Sequence, residues 1–364
     1  MKTYKIFIIN FGSTSTKVAY SENDKFIFRE EISHPVEKIQ ACKTVNDQFP
    51  LRKEAIIEFL KEKNISVSEL DAVAARGGQT EPIVGGTYRV NEAMIEQNKS
   101  GEYGNHVCNL GPRLAYELCK DSGDHAIPLT TDTPTTDEME PVARYSGLKE
   151  IPRVSCVQAL NTKAMARYYA EQNGKKFEEI RVVSVMLGGG IGVVAIRDGR
   201  MVDAPDALEG EGPFSNNRCC TVPIGRLIKL CYSGKYDLQG MLRHINGEAG
   251  LVAYLGTIDM VEIENRINSG DKYAAEVIEA MCYQTAKEIG AMATVLKGQI
   301  DAILLIGGMA KIPFIVDSIK EKVSFIAPVV IMKGEREIEA LGNGAYEALI
   351  GVRETLEFVP KEVK

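Results

Sequence analysis

No apolar run in this 364-residue chain approaches the ~18–20 residues of a membrane-spanning helix, and Met1-Lys2-Thr3 leads into a strand-like stretch instead of a secretion-signal core. A cytoplasmic protein with no membrane partner is expected. Nor is there a cluster of basic residues able to track a nucleic-acid backbone; 43 Lys and Arg against 50 Asp and Glu leave a formal charge of −7. Nucleic acid is therefore not an expected partner. The eight cysteines lack CxxC spacing in a chain too large to need disulfide staples, so they read as reduced thiols. Cys219-Cys220 reads first as a pair of small half-buried residues and only second as a soft-metal or redox site. His34, His106, His125 and His244 never fall at HxxxH or HxxE spacing, which argues against zinc chemistry. No Gly/Ser-rich or Pro-rich linker interrupts the chain, so its parts are expected to pack closely about a hinge.

What is present is enough for full-sized cores. Hydrophobic residues make up 45% and charged residues 26%, and the length allows two to three domains of ~100–200 residues each. The β-branched and aromatic run Tyr4–Asn10, the polar turn Phe11–Thr16, the alternating Lys17–Tyr20 and then Lys25–Phe28 predict a three-stranded antiparallel meander. A similar layout recurs about half a chain later, at Arg181–Leu187, Gly188-Gly189-Gly190, Ile191–Ile196 and Met201-Val202.

A second echo supports a duplication. Asp71–Gly78 and Asp301–Gly308 both read DAxxxxGG, each after a helical stretch, at Leu51–Lys63 and Tyr273–Lys297 respectively. Meander, helix and short strand in this order predict an internally duplicated α/β fold of mixed sheets flanked by helices. The first boundary is expected near Gly147-Leu148, before a helical stretch starting at Arg153, and the helical run Ile338–Val352 is expected to return to the first half.

In such a fold, two loops of small residues can grip a polyphosphate, since backbone N–H groups approach its oxygens and hydroxyls add donors. Gly12-Ser13-Thr14-Ser15-Thr16 and Gly188-Gly189-Gly190 fit that description, although neither reads as GxxxxGK[ST] or GxGxxG. Phosphoryl transfer needs a metal, cations and in-line positioning more than covalent help. Arg76, Arg218 and Lys17 are the candidate cations: Arg76 ends a strand before Gly77-Gly78, and Arg218 closes the long loop from Glu209. Asp132, after Ile127-Pro128-Leu129, is a candidate Mg²⁺ anchor or a turn-forming residue.

Four segments taken together resemble the butyrate kinase branch of the acetate kinase group within the actin-like, sugar-kinase-like ATPases. They are Asn10–Lys17, Arg76-Gly77-Gly78 with Gly85–Tyr88, Asp137–Arg144 and Gly250–Thr257. The likeness runs from the N-terminus to about Gly351 and includes Ala159-Leu160-Asn161, Glu209–Phe214 and Val323–Val329. It implies two ribonuclease H-like domains, at 1–147 and 148–337, the first completed by 338–364, closing over a cleft. It also implies reversible transfer of a phosphoryl group from ATP to a short-chain carboxylate, giving ADP and an acyl phosphate, with Mg²⁺ and in a homo-oligomer of at least two subunits.

By position within that resemblance, Asn10, Gly12, Ser13, Ser15 and Lys17 belong to the first phosphate loop and Gly188, Gly189 and Gly190 to the second. Gly307 and Gly308 lie beside adenosine. Asn10, Asp132 and Glu337 organise the metal, with Glu335 a second choice for the last, while Arg76 and Arg218 neutralise the carboxylate and the moving phosphoryl. Several positions depart from the pattern. Met186 and Gln158 stand where the family carries histidines, Phe11 replaces a proline, Cys219-Cys220-Thr221 a serine- and glycine-rich stretch, and Ile306 a threonine. One lost donor commonly costs ~10²–10³ in turnover. Three readings follow: an active carboxylate kinase, an impaired nucleotide-binding paralogue, or a sugar kinase or chaperone-like ATPase that shares only the fold.

Overall fold

A computed structural model describes residues 2–123 and 125–361. Packing divides the chain into two compact units, one of Met1–Thr136, Ala159–Ala164 and Arg336–Lys364, the other of Asp137–Gln158 and Met165–Glu335.

In the first unit, β1 (Lys5–Phe11), β2 (Ser15–Glu22) and β3 (Lys25–Ser33) form the expected antiparallel meander. β4 (Ala72–Ala75) pairs parallel with β1, and β6 (Ile127–Thr131) parallel with β4. β5 (Thr87–Arg89) runs antiparallel to β6, and the strand Thr355–Glu357 closes the edge beside β5. Side chains of a strand alternate between faces, so β1 builds two cores at once. Phe7, Ile9 and Phe11 pack under helices Phe49–Glu62 and Leu110–Asp121. Ile6 and Ile8 pack under Leu341 and Ala345 of helix Glu337–Leu349. Asn10 has the parity of this second face, which directs it toward the start of that helix.

The second unit repeats the arrangement. β7 (Val182–Leu187), β8 (Ile191–Arg197) and β9 (Arg200–Asp203) form a meander, and β10 (Ala302–Ile306) and β11 (Val329–Ile331) extend it in parallel. Its order, β11-β10-β7-β8-β9, matches β6-β4-β1-β2-β3 of the first sheet strand for strand. Helices Lys272–Val295 and Pro313–Val323 cover Val183, Val185, Ile303 and Leu305.

Three expectations need correction. The chain first changes units at Thr136/Asp137 and not near Gly147, because the following segment is fastened to the second unit. There Arg144 binds Asp137 at 2.6 Å, Glu140 N–H donates to Val202 at 2.9 Å, and Arg153 bonds both Asp203 and Glu211. For the same reason Arg153 starts no helix; the helix is Ala159–Gln172. The C-terminal helix ends at Leu349, and the strand after it had no visible periodicity to announce it.

Candidate active site

The turn from β1 to β2 is tied on the inside of the first unit. Gly12 N–H donates to Ser15 O at 2.9 Å, and His34 N–H to Thr14 O at 2.9 Å. Beneath the turn lies Arg52, fully buried. Its Nη2 donates to Gly12 O at 3.0 Å and Ser13 O at 2.7 Å, and its Nη1 to Ser15 O at 3.1 Å and Thr16 Oγ1 at 3.3 Å. Thr16 Oγ1 also shares a 2.7 Å hydrogen bond with His34 Nε2. Burial, and secondly the Arg52 charge, lower the His34 pKa to about 4, so its ring is neutral. Ser15 Oγ bonds Glu31, and exposed Lys17 stands opposite Asn10 in the β1–β2 register.

At the same end of β1 but on its other face, Asn10 Nδ2 donates to Glu337 Oε2 at 2.5 Å, and Arg76 Nη1 lies 3.4 Å from the Glu337 carboxylate. Glu337 is buried, whereas Glu335 is exposed and belongs to the second unit. Of the two, Glu337 is the residue beside Asn10. The glycines after Arg76 are required by packing: a Cβ on Gly77 would meet Thr133 Cγ2 at 2.5 Å, and one on Gly78 would meet Asn109 Cα at 2.7 Å. Asp132 adopts a left-handed conformation, φ 43°. It exchanges two 3.0 Å hydrogen bonds with the Gly86 backbone, and its carboxylate lies 3.4 Å from Lys163 Nζ, both side chains being buried.

In the second unit, Gly188-Gly189-Gly190 joins β7 to β8, closed by Gly188 N–H donating to Gly190 O at 3.1 Å. Ser215 Oγ holds Gly189 O at 2.9 Å. Gly190 gives room to Arg218, for an added Cβ would come within 2.5 Å of Arg218 Nη1. Arg218 Nη1 donates to Ala207 O at 3.1 Å; its Nε is buried with no partner among the described residues, and burial holds its pKa below the usual arginine value. Met186 and Gln158 both flank the loop, 3.6 and 4.0 Å from where a Gly188 Cβ would stand. Gly307, φ 92°, passes beside Met186 and Leu187; Gly308 is open on its Cβ side. Burial pushes the Cys220 thiol up to about 11 and raises Cys219 as well, so neither is a thiolate at neutral pH.

Each unit therefore assembles its own share of the predicted residues: Asn10, Gly12, Ser13, Ser15, Lys17, Arg76, Asp132 and Glu337 in the first, and Gly188–Gly190, Arg218, Gly307 and Gly308 in the second. Arg52 and Lys163 were missed.

Residues 160–326 match the acetokinase family. Over 355 residues the chain is 44% identical to butyrate kinase 1 of Clostridium acetobutylicum, which covers 98% of this chain and 99% of that protein. The chain belongs to the acetokinase family. Its fold is similar to that of acetate kinase from Porphyromonas gingivalis, with a TM-score of 0.76 at 15% identity over 95% of this chain and 100% of that one. A propionate kinase from Francisella tularensis gives 0.71 at 14% identity over 94% and 98%. The architecture is thus the duplicated α/β fold of the actin-like ATPases, two ribonuclease H-like halves each carrying a mixed sheet.

The first unit's residues also fit a hard cation. Asn10 Oδ1 is buried without a partner among the described residues, the Glu337 carboxylate lies beside that side chain, and Asp132 is a second buried carboxylate of the same unit. No group of three or more His, Cys, Asp or Glu that could chelate an ion occurs among the described residues. Mg²⁺ suits such a site, since it is commonly held by one or two carboxylates, water and substrate phosphates.

Proposed function

We infer that the protein is a butyrate kinase, which moves the γ-phosphoryl group of ATP reversibly to the carboxylate of butyrate or a related short-chain fatty acid. The carrying observation is the 44% identity to butyrate kinase 1 over nearly the whole of both chains. The arrangement within each unit supports it. A carboxylate is already an anion, so its oxygen attacks phosphorus with no proton to remove; the γ-phosphorus–bridging-oxygen bond breaks and ADP leaves with the electron pair. Such a reaction needs charge neutralisation and alignment in place of a general base. Arg76, beside the Glu337 carboxylate, and Arg218 supply the cations that such charge neutralisation asks for.

In this reading the outward N–H groups of the Gly12–Ser15 turn, the Ser13 and Ser15 hydroxyls and Lys17 bind phosphate oxygens. Gly188, Gly189 and Gly190 form a second cradle, and Gly307 and Gly308 leave room for adenosine. Arg76 orients the acceptor carboxylate and Arg218 offsets charge on the moving phosphoryl. Asn10, Asp132 and Glu337 hold Mg²⁺, directly or through water; when bound, it neutralises phosphate oxygens. We place the enzyme in the cytoplasm, as a homo-oligomer of at least two subunits, a state that sedimentation will test. Met186 and Gln158, beside the Gly188–Gly190 loop, are the basis of the impaired reading, which the relatives reported above do not favour.

The test is incubation with Mg·ATP and butyrate, with hydroxylamine trapping the acyl phosphate. Butyryl hydroxamate formed in step with ADP is expected. ATP turnover indifferent to butyrate, or none, overturns the proposal. Acetate, propionate and isobutyrate in parallel rank the pocket, each methylene being worth ~1–3 kcal/mol of discrimination.

A further inference from the structure

We propose that Arg52 is a positioning residue for nucleotide binding: from below the β1–β2 turn it draws the turn's carbonyl oxygens inward and so presents the intervening N–H groups outward, to phosphate. The inference rests on the reading of this turn as a phosphate loop.

The geometry is that of a template. Every peptide bond in the described chain is trans, so the C=O of one residue and the N–H of the next point in opposite directions. With Gly12 O and Ser13 O both captured by Nη2, the N–H groups of Ser13 and Thr14 are turned away from Arg52. Among the described residues neither N–H donates to a protein acceptor, and Ser13 and Thr14 are both exposed. Two successive free amides on an exposed turn make an anion-binding concavity. Nη1 fixes the exit of the turn through Ser15 O and Thr16 Oγ1.

Nothing else in the neighbourhood explains a buried guanidinium. Buried charges are normally paired, yet among the described residues no carboxylate bonds Arg52: its remaining partners are Gln48 Oε1, at 3.2 Å from Nε and 3.1 Å from Nη2, and the Phe11 ring, 5.3 Å from Cζ. Neutral His34 adds no counter-charge. A cation dissolved in loop carbonyls leaves its charge uncompensated beneath the turn, where bound phosphate supplies the missing sign. Lysine is no substitute, since one ammonium cannot span acceptors that a planar fork reaches from two nitrogens.

The experiment compares parent, Arg52→Lys, Gln48→Ala and Ser13→Ala/Ser15→Ala by Mg·ATP titration, steady-state kinetics and amide exchange. Arg52→Lys should weaken Mg·ATP binding at least tenfold and raise KM for ATP, leave KM for butyrate within twofold, and speed exchange across residues 12–16. Gln48→Ala, a half-buried position that aims Arg52, should reproduce the split at about threefold, and it decides the matter if Arg52→Lys does not fold. Parent-like ATP affinity in a folded Arg52→Lys, or equal rises in both KM values, overturns the role. If the serine variant weakens ATP and the Arg52 and Gln48 variants do not, this inference alone fails; if none of them does, the phosphate-loop reading fails with it.

Discussion

His34 makes a titration readable at a single residue. Its folded pKa of about 4 lies below the 6.5 of an exposed ring. Between those values the unfolded chain binds the proton more readily than the native one, so stability should rise with pH from about 4 to 6.5 and level off above. The window is worth roughly 3 kcal/mol at most at 1.36 kcal/mol per unit. Unfolding midpoints against pH will check this, and His34→Gln, which keeps a partner for Thr16, should flatten that part of the curve; an unchanged slope refutes the assignment. Lys163 offers a second measurement. Its ammonium and Asp132 are both almost wholly buried. Lys163→Met strands a carboxylate and should cost about 3 kcal/mol in urea unfolding. Asp132→Asn in the same chain should recover part of the loss. Both Arg52 and Lys163 escaped the sequence reading because a charged residue in a helix defaults to the surface. Yet Arg52 falls three, four and seven residues before Ala55, Ile56 and Phe59, on the apolar stripe itself. A cation in a core position was the signal to follow.

Secondary elements were legible to different degrees, and the reasons are local. The two meanders were visible because β-branched runs alternate around turns of small residues, and helix Lys272–Val295 because its stripe persists over many turns. The segment from Asp137 to Gln158 was not, since side-chain ion pairs and not periodicity hold it. At this scale the glycines of β7–β8 and β10 separate function from folding. A methyl on Gly307 would stand 2.5 Å from Leu187 O, a backbone atom, at φ 92°. Gly307→Ala should therefore cost about 2–3 kcal/mol in stability. On Gly190 the same methyl meets only the Arg218 guanidinium at 2.5 Å, the movable end of a long side chain. Gly190→Ala should keep the parent's unfolding midpoint within about 2 °C, a surface-like change of ~0.5 kcal/mol, while lowering kcat/KM at least tenfold. Equal stability losses in the two variants, or full activity in Gly190→Ala, would remove Arg218 from the reaction.

Over the whole molecule, the doubled sheet order gives each unit a place where folding leaves a polar atom unsatisfied. Among the several such atoms in the described residues, Asn10 Oδ1 in the first unit and Arg218 Nε in the second belong to residues of the candidate site. A buried unpaired polar atom costs ~1–3 kcal/mol, and a ligand that reaches it restores that energy only in the native state. Anything binding the folded chain alone stabilises it by RT ln(1 + [L]/Kd), about 2.7 kcal/mol at a hundred times Kd. For a chain of this length that corresponds to an unfolding midpoint about 3–4 °C higher, at roughly 1.3 °C per kcal/mol. Mg·ATP should therefore raise the midpoint by that amount, and ATP with a chelator by clearly less, because in the proposed site the Asn10 oxygen is a donor to the cation and not to phosphate. Asn10→Ala should abolish the difference between the two conditions while keeping the shift given by ATP alone. Equal shifts with and without Mg²⁺ in the parent would detach Asn10, Asp132 and Glu337 from the metal. No shift in either condition would leave both phosphate loops without a ligand.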